Sequence, residues 1–345
     1  MISPRAVLKL GFVALSLVAS GAVFADAGSV KIWLDKMARA VESLDYRGDF
    51  VYMHDDRIEV MRIVHRYGEA GEQERLSSLN GAPREVIRDN DRVTCILPED
   101  ESVMMETYLG DALFPTIPVE QMVDSSSRYE FKLGGTERIA GLTAQMIEIT
   151  PLDGLRFGYR LWLEEESAML LKSMVIDADG EAVEQLLFTR IDIGGPIRDV
   201  ELKPRTRGRK IEIATTAMAE VEQDTDVATE TEGQQISAQV ARWSISDLPA
   251  GFKLRSREHP ADPGSAYEHL VFTDGMATVS IYLEPSEQDV TEQRSAMGAM
   301  NVFTTGQSGW AVTAVGEAPL PTLEAIARSM RLSNDSAGAE ERRLE

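Results

Sequence analysis

The sequence predicts an α+β protein with two domains, each built on an antiparallel sheet. Three observations lead to this prediction. Apolar and polar residues alternate with period two through most of the chain, in runs separated by short Asp-, Asn- and Gly-rich turns typical of hairpins. Apolar residues recur at helical spacing near both ends, at 30–44 and 322–330. A polar, acidic stretch at 212–239 separates the two sets of strands.

Residues 1–25 have the pattern of a cleaved signal peptide. Arg5 and Lys9 supply a positive start, residues 10–18 are apolar except for Ser16, and Val23 and Ala25 offer small residues at the two positions that a signal peptidase recognises. The apolar run is too short for a membrane anchor, which needs about 20 apolar residues. We therefore expect an exported protein.

The charge and cysteine content narrow the class of protein. The formal net charge of −22 disfavours binding to nucleic acid or to anionic membrane surfaces, because both are polyanions. Cys95 is the single cysteine, so no internal disulfide can form, and its place in an apolar strand predicts a small buried side chain.

The large domain is predicted to span residues 26–211. It begins with an amphipathic helix at 30–44, for which Ser29 is a plausible N-cap. Two short helices are expected at 108–113 and 119–123, around two prolines. The other periodic segments of this domain are predicted strands, at 49–54, 57–67, 74–79, 84–89, 91–97, 129–133, 137–139, 142–150, 157–163, 170–177 and 182–193.

A sheet of roughly ten or eleven strands has to curl. The alternation also predicts one covered face, to which Phe157, Tyr159, Leu161 and Leu163 point together. A helix laid against the curved sheet either encloses an apolar cavity or completes a filled core, and the residues leave both interpretations open.

The small domain is predicted at 240–332, after the acidic linker at 212–239 and before a disordered tail at 333–345. A tight hairpin is expected at Asp274-Gly275. Thr322 is expected to cap a helix that packs its apolar face on the sheet. The predicted strands are 243–245, 252–257, 266–273, 277–283, 298–305 and 310–315.

Residue patterns for catalysis are absent from the sequence. It contains no motif of a nucleophilic hydrolase, a phosphate-binding loop or a zinc protease. None of the four histidines has metal-ligand spacing on one element. The sequence therefore favours a binding protein without cofactor or metal.

Two features are compatible with binding. Methionines are frequent in the large domain, and their flexible side chains adapt to apolar ligands, although ordinary core packing explains them equally. Basic residues cluster just before the linker, where they suit an anionic partner or simply form a solvated loop. These residues are Arg198, Lys203, Arg205, Arg207, Arg209 and Lys210.

Several segments resemble one protein family over nearly the whole chain. They are LDYRGDFVY at 44–52, Trp243 followed by LPAGF at 248–252, VFTDGMATVSIYLE at 271–284, GAMNVF at 298–303 and VTAVGEAP at 312–319. In order and spacing they are similar to the MucB/RseB family of periplasmic regulators. The resemblance implies a large domain like the lipoprotein carriers LolA and LolB, with an unclosed, half-barrel sheet and helices on its concave side.

The resemblance also implies a function. The protein would bind the periplasmic part of a transmembrane, MucA/RseA-like anti-sigma factor, protect it from regulated proteolysis and so keep a sigma-E-type (AlgU-like) envelope-stress sigma factor inactive. A lipopolysaccharide or other acylated lipid would release it. The alternative is a periplasmic lipid or lipoprotein carrier without a regulatory partner, and a homodimer is left open.

Two sets of candidate site residues follow from this interpretation. Acyl chains are expected on the concave face, at Phe50, Tyr52, Met61, Phe157, Tyr159 and Leu161. The anti-sigma segment is expected at the small domain and the groove between domains, with Arg205, Arg207, Arg209 and Trp310 as contacts.

Overall fold

The structure is a computed structural model that describes residues 27–98, 128–214, 243–258 and 267–332. Several predicted segments lie outside the described residues. These are the signal peptide at 1–25, the two short helices at 108–113 and 119–123, the linker beyond residue 214 and the tail at 333–345.

The large domain begins with helix α1 (Ala27–Ser43), which starts two residues before Ser29. The prediction of Ser29 as N-cap is therefore wrong, because the helical turn already includes it. The strands are β1 (Tyr46–His54), β2 (Arg57–Gly68), β3 (Gly71–Ser78), β4 (Glu85–Asp89), β5 (Arg92–Leu97), β6 (Tyr129–Ile139), β7 (Leu142–Pro151), β8 (Gly158–Glu164), β9 (Leu170–Ile176), β10 (Ala182–Ile193) and β11 (Arg209–Ala214).

Within the described ranges these strands form one antiparallel sheet in the order β11-β5-β4-β3-β2-β1-β10-β9-β8-β7-β6. Helix α1 contacts both β2 and β6. Six strand spacings of about 4.8 Å would separate those strands by about 29 Å in a flat sheet, whereas a helix is only about 10–12 Å wide. The sheet must therefore curve around α1, which confirms the predicted curved sheet.

Two details of the large sheet differ from the expected strands. Residues 129–133 and 137–139 belong to the single strand β6, which continues through an irregularity between Leu133 and Thr136. Strand β11 pairs with β5 and extends three residues into the segment predicted as linker. The charged residues Lys210 and Glu212 alternate with Ile211 and Ile213, so the charge of the segment hides its strand period.

The connection from β10 to β11 is called the crossing segment (residues 194–208). Because β10 lies beside β1 and β11 lies beside β5, it passes over the outer face of the sheet. It contains the short helix α2 (Asp199–Leu202) and packs Leu202 near Val64. Glu85 is buried beneath it, accepts the backbone N–H of Arg205 at 2.8 Å, and pairs with buried Arg75 at 3.4 Å.

The small domain is a second antiparallel sheet with a helix. Its strands are β12 (Trp243–Ile245), β13 (Lys253–Glu258), β14 (Glu268–Thr273), β15 (Thr278–Pro285), β16 (Gln293–Met297), β17 (Met300–Gln307), β18 (Trp310–Gly316) and β19 (Met330–Leu332). The main sheet has the order β13-β14-β15-β18-β17-β16, and helix α3 (Leu320–Ser329) packs on β17 and β18. Leu323, Ile326 and Ala327 are fully buried in that contact.

Two predictions for the small domain need correction. Thr322 does not cap α3, because Pro319 holds the N-cap position and the helix has already begun at Leu320. The Thr322 hydroxyl instead donates a hydrogen bond to the carbonyl oxygen of Leu155 in the large domain, at 2.5 Å. The edge strand β16 and the short strand β19, which pairs with β12, were not anticipated.

Replacing Glu85 with alanine is expected to destabilise the protein by about 3–5 kcal/mol, because it leaves the buried charge of Arg75 without its partner. Denaturant unfolding followed by circular dichroism measures this loss. Glu137→Ala, at an exposed position of β6, is the control and should change the free energy of unfolding by less than about 0.5 kcal/mol. A loss below about 1 kcal/mol for Glu85→Ala would contradict the role given to this pair.

Candidate binding site

The six residues expected to bind acyl chains lie together on the inner face of the curved sheet. Phe50 of β1 is opposite Met61 of β2, while Tyr159 and Leu161 lie on β8. All but Tyr52 are at most 8% exposed. They belong to one apolar cluster with Val30, Leu34 and Met37 of α1, so the face is a packed core in this structure.

Two hairpin tips of the small domain complete this cluster. The first, between β14 and β15, is called the Met276 tip (residues 274–277). The second, between β16 and β17, carries Gly298 and Ala299. Met276 is 8% exposed and Ala299 is 2% exposed, and both pack into the same apolar cluster as Phe157 and Tyr159. The small domain therefore covers one end of the concave face.

Arg156 joins the Met276 tip to the large domain. Its side chain is fully buried and donates hydrogen bonds to the carboxylates of Asp274 and Asp153 and to the carbonyl oxygen of Ala250. Burial alone would lower the pKa of Arg156, but its hydrogen bonds with the two carboxylates outweigh this effect and raise it. The guanidinium also lies 5.3 Å from the ring centre of Phe252.

Asp274 also stabilises the turn of the Met276 tip. Its other carboxylate oxygen accepts the backbone N–H groups of Met276 at 2.9 Å and Ala277 at 2.8 Å. The predicted hairpin at Asp274-Gly275 is confirmed, and Gly275 adopts a φ of 97°, which favours glycine. One carboxylate thus shapes the turn and holds it to Arg156.

The second tip makes polar contacts with the end of β1 and the start of β10. The backbone N–H of Ala299 donates to Glu184 at 3.3 Å, and Glu184 also accepts a hydrogen bond from the Tyr52 hydroxyl. Burial, followed by the charge of Glu184, raises the pKa of Tyr52. A side chain at Gly298 would place its Cβ 3.1 Å from that of His54, so the two domains approach closely here.

The contacts of Arg156 with Asp274 and of Ala299 with Glu184 together form the joint between the two domains. A groove of about 480 Å³ opens beside this joint. It is lined by parts of β7, β8 and β9 and by the loop that carries Asp153 and Gly154. Ile149 and Tyr159 of the inner face also line it. The groove therefore adjoins both the buried apolar cluster and the residues that hold Arg156.

A polar group closes the opposite end of the concave face. His65 is fully buried, stacks on Tyr46 with ring centres 4.7 Å apart, and donates from Nδ1 to the carbonyl oxygen of Leu44 at 2.8 Å. Its Nε2 lies 3.5 Å from Glu72. Burial would lower the pKa of His65, but the nearby carboxylates of Glu72 and Glu74 and the hydrogen bond to the Leu44 carbonyl raise it.

The residues expected to bind the anti-sigma segment are not brought together. Arg205 and Arg207 are exposed in the crossing segment, and Arg209 begins β11 at the edge of the sheet. Trp310 lies in the small domain, partly buried and edge-on to Trp243 at 5.6 Å.

Sequence reasoning did not identify Arg156 as a functional residue. The available signal was a charged residue in the apolar stretch Leu155-Arg156-Phe157, since a buried charge requires a partner. Its partner Asp274 is 118 positions away, and nothing in the local pattern connects the two.

The described residues contain no group of His, Cys, Asp and Glu side chains that could hold a metal ion. Cys95 is fully buried, as predicted. None of the helices that the structure describes is long and apolar enough to cross a membrane.

The fold and joint define a class of two-domain protein, in which one end of a curved, unclosed sheet is covered by a smaller α+β domain. Comparison with known proteins identifies the family. The MucB/RseB N-terminal domain model matches residues 29–206, and the MucB/RseB C-terminal domain model matches residues 237–331. The chain belongs to the MucB/RseB family.

Relatives and solved structures agree with this assignment. The chain is 30% identical to the sigma factor AlgU regulatory protein MucB of Pseudomonas aeruginosa, over 88% of this chain and 92% of that protein. It is 25% identical to the sigma-E factor regulatory protein RseB of Haemophilus influenzae, over 94% and 98%. A crystal structure of MucB in complex with MucA(peri) matches with a TM-score of 0.64 and 26% identity, over 90% of this chain and 100% of that one.

The raised pKa of His65 predicts a pH dependence of stability. A histidine with a folded-state pKa above its ordinary value of 6.5 stabilises the fold fully below pH 6.5, and this contribution is lost as pH rises through the folded pKa. The free energy of unfolding should therefore fall more steeply above pH 6.5 in the parent protein than in His65→Gln. Denaturant titrations between pH 5.5 and 8.5 measure it, and equal slopes would contradict the prediction.

Proposed function

We propose that this protein is a periplasmic negative regulator of an envelope-stress sigma factor. It is exported, cut after residue 25, and binds the periplasmic part of a transmembrane, MucA/RseA-like anti-sigma factor. Binding protects that segment from regulated proteolysis, so the sigma factor stays inactive. The protein itself is not an enzyme and uses no cofactor.

One observation carries this proposal. The similarity to MucB bound to the periplasmic part of MucA extends over 90% of the chain and includes both domains. A similarity limited to the large domain would leave the small domain without a role. The 30% identity to a named regulator of AlgU supports the same conclusion.

The exposed arginines of the crossing segment support a second part of the proposal. The acids Asp199 and Glu201 in this segment are already paired with Arg66 and Arg47. The hydrogen bonds from Arg198 lower the pKa of Glu201 to about 2, so it stays ionised. Arg205 and Arg207 therefore present positive charge on a strongly acidic protein, where they suit an acidic stretch of the anti-sigma segment.

We also propose that an acylated lipid binds the concave face at the six candidate residues and releases the anti-sigma factor. The alternative is a lipid or lipoprotein carrier, which would use the same face. The small domain discriminates between them, because a carrier that acts through the large domain alone has no need of a second domain that covers its site.

Titration of the purified mature chain with the periplasmic segment of its anti-sigma factor tests the function. Arg205→Glu with Arg207→Glu is expected to weaken binding by at least about ten-fold at low salt, since rim charges act mainly through long-range attraction. The matched control is Lys132→Glu with Arg138→Glu, two exposed residues on the opposite edge strand β6.

If the arginine variant and the parent protein bind the anti-sigma segment with equal affinity, the crossing segment is not part of the binding surface. No binding by the parent protein, together with binding of acyl ligands, would favour the carrier.

A further inference from the structure

The residues proposed to bind acyl chains are covered in this structure. Phe50 and Leu161 are fully buried, and the cluster around them is filled by α1 on one side and by the small-domain tips at one end. Of the elements that the structure describes, one of these therefore has to move before a ligand reaches this face. The identity of the moving element decides how a lipid affects partner binding.

Helix α1 is the costlier element to displace. It contributes Val30, Leu34 and Met37 to the cluster, all nearly or fully buried, and its C-terminal end is held by the bond from His65 to Leu44. Lifting it exposes apolar surface along its length, which costs free energy in proportion to the exposed area. Apart from the hydrogen bond at Leu44 the contact is apolar, so little regained hydration offsets this cost.

The Met276 tip is held differently. Its apolar contribution is a single buried side chain, and its main attachment is the buried ion pair of Asp274 with Arg156. When an ion pair opens, each charge recovers its hydration, which offsets much of the lost Coulomb attraction. The ion pair therefore fixes the position of the tip when it is formed, yet it can open at a modest cost in free energy.

We propose that the Met276 tip is a displaceable plug of the acyl-binding face. An acyl chain enters through the groove beside Asp153 and Tyr159, displaces Met276, and occupies the space among Phe157 and Tyr159. The proposal rests on the proposed function, since it uses the same acyl site, and adds the element that regulates it. Groove and plug are adjacent, because Asp153 lines the groove and also binds Arg156.

The plug gives acyl binding a direct effect on partner binding. The tip belongs to the small domain, so its displacement changes the position of that domain relative to the crossing segment. A partner that contacts both domains then binds the plugged state better than the open state. By linkage, the partner weakens acyl binding by the same factor.

The plug can be tested with dansyl-undecanoic acid as the acyl probe, followed by its fluorescence. Met276→Ala is expected to lower the apparent Kd by at least about ten-fold, because the open state becomes a larger fraction of the population. Met174→Ala is the matched control, since Met174 is a partly buried methionine in the cluster on the outer face of the sheet. It should bind within about two-fold of the parent protein.

Asp274→Asn provides a second variant if Met276→Ala does not fold. The asparagine oxygen can still accept the N–H groups of Met276 and Ala277, while the charge opposite Arg156 is removed. It is expected to tighten probe binding in the same direction. Circular dichroism at the assay temperature establishes that each variant is folded.

Three outcomes overturn the plug. They are an unchanged Kd in both variants, an equal gain in Met174→Ala, and no probe binding by any of the proteins. Titration of the same preparations with the anti-sigma segment separates this from the proposed function. If the parent protein binds both the segment and the probe while the variants fail, the plug alone is wrong. If it binds the segment but not the probe, the acyl site is wrong as well, whereas absence of segment binding contradicts the regulator itself.

Discussion

Arg156 is buried at the point where the two domains meet, and a guanidinium without water must be paired. Asp274 from the small domain, Asp153 from the large domain and the carbonyl oxygen of Ala250 supply the pairing. Removing one partner would leave an uncompensated buried charge, which is costly. The position of the small domain, and with it the cover of the concave face, depends on this contact.

The curvature of the large sheet explains why such a cover is needed. A sheet that curves around α1 has an inner face that is apolar and two edge strands, β6 and β11, that do not pair with each other. The apolar inner face therefore needs other residues at both ends of the sheet to shield it from water. The polar group of His65, Tyr46 and Glu72 lies at one end and the small-domain tips lie at the other.

Much of the fold follows from the sequence because its signals are local. Strand positions in the large domain agree to within a few residues, since period-two alternation and Asp- and Gly-rich turns act over short stretches. The shared inner face of Phe157, Tyr159 and Leu161 follows from the same alternation. Strand β11 was not predicted, because its charged residues give it a composition typical of a loop.

The joint between domains could not be predicted in the same way. Arg156 and Asp274 are 118 residues apart, and Thr322 binds Leu155 across 167 residues. The turn role of Asp274 and the helix position of Thr322 are visible in the sequence, but each side chain also has a long-range partner. Only the folded arrangement reveals that second role.

If ligand entry and domain position are coupled, acyl binding changes the distance between the two domains. Spin labels are attached at Glu166→Cys in the large domain and at Gln288→Cys in the small domain, both exposed positions, in a Cys95→Ala background. Pulsed electron paramagnetic resonance then measures the distance between the two labels. We expect one narrow distance distribution without ligand and a shifted, broader one at saturating dansyl-undecanoic acid. An unchanged distribution at saturation would contradict it.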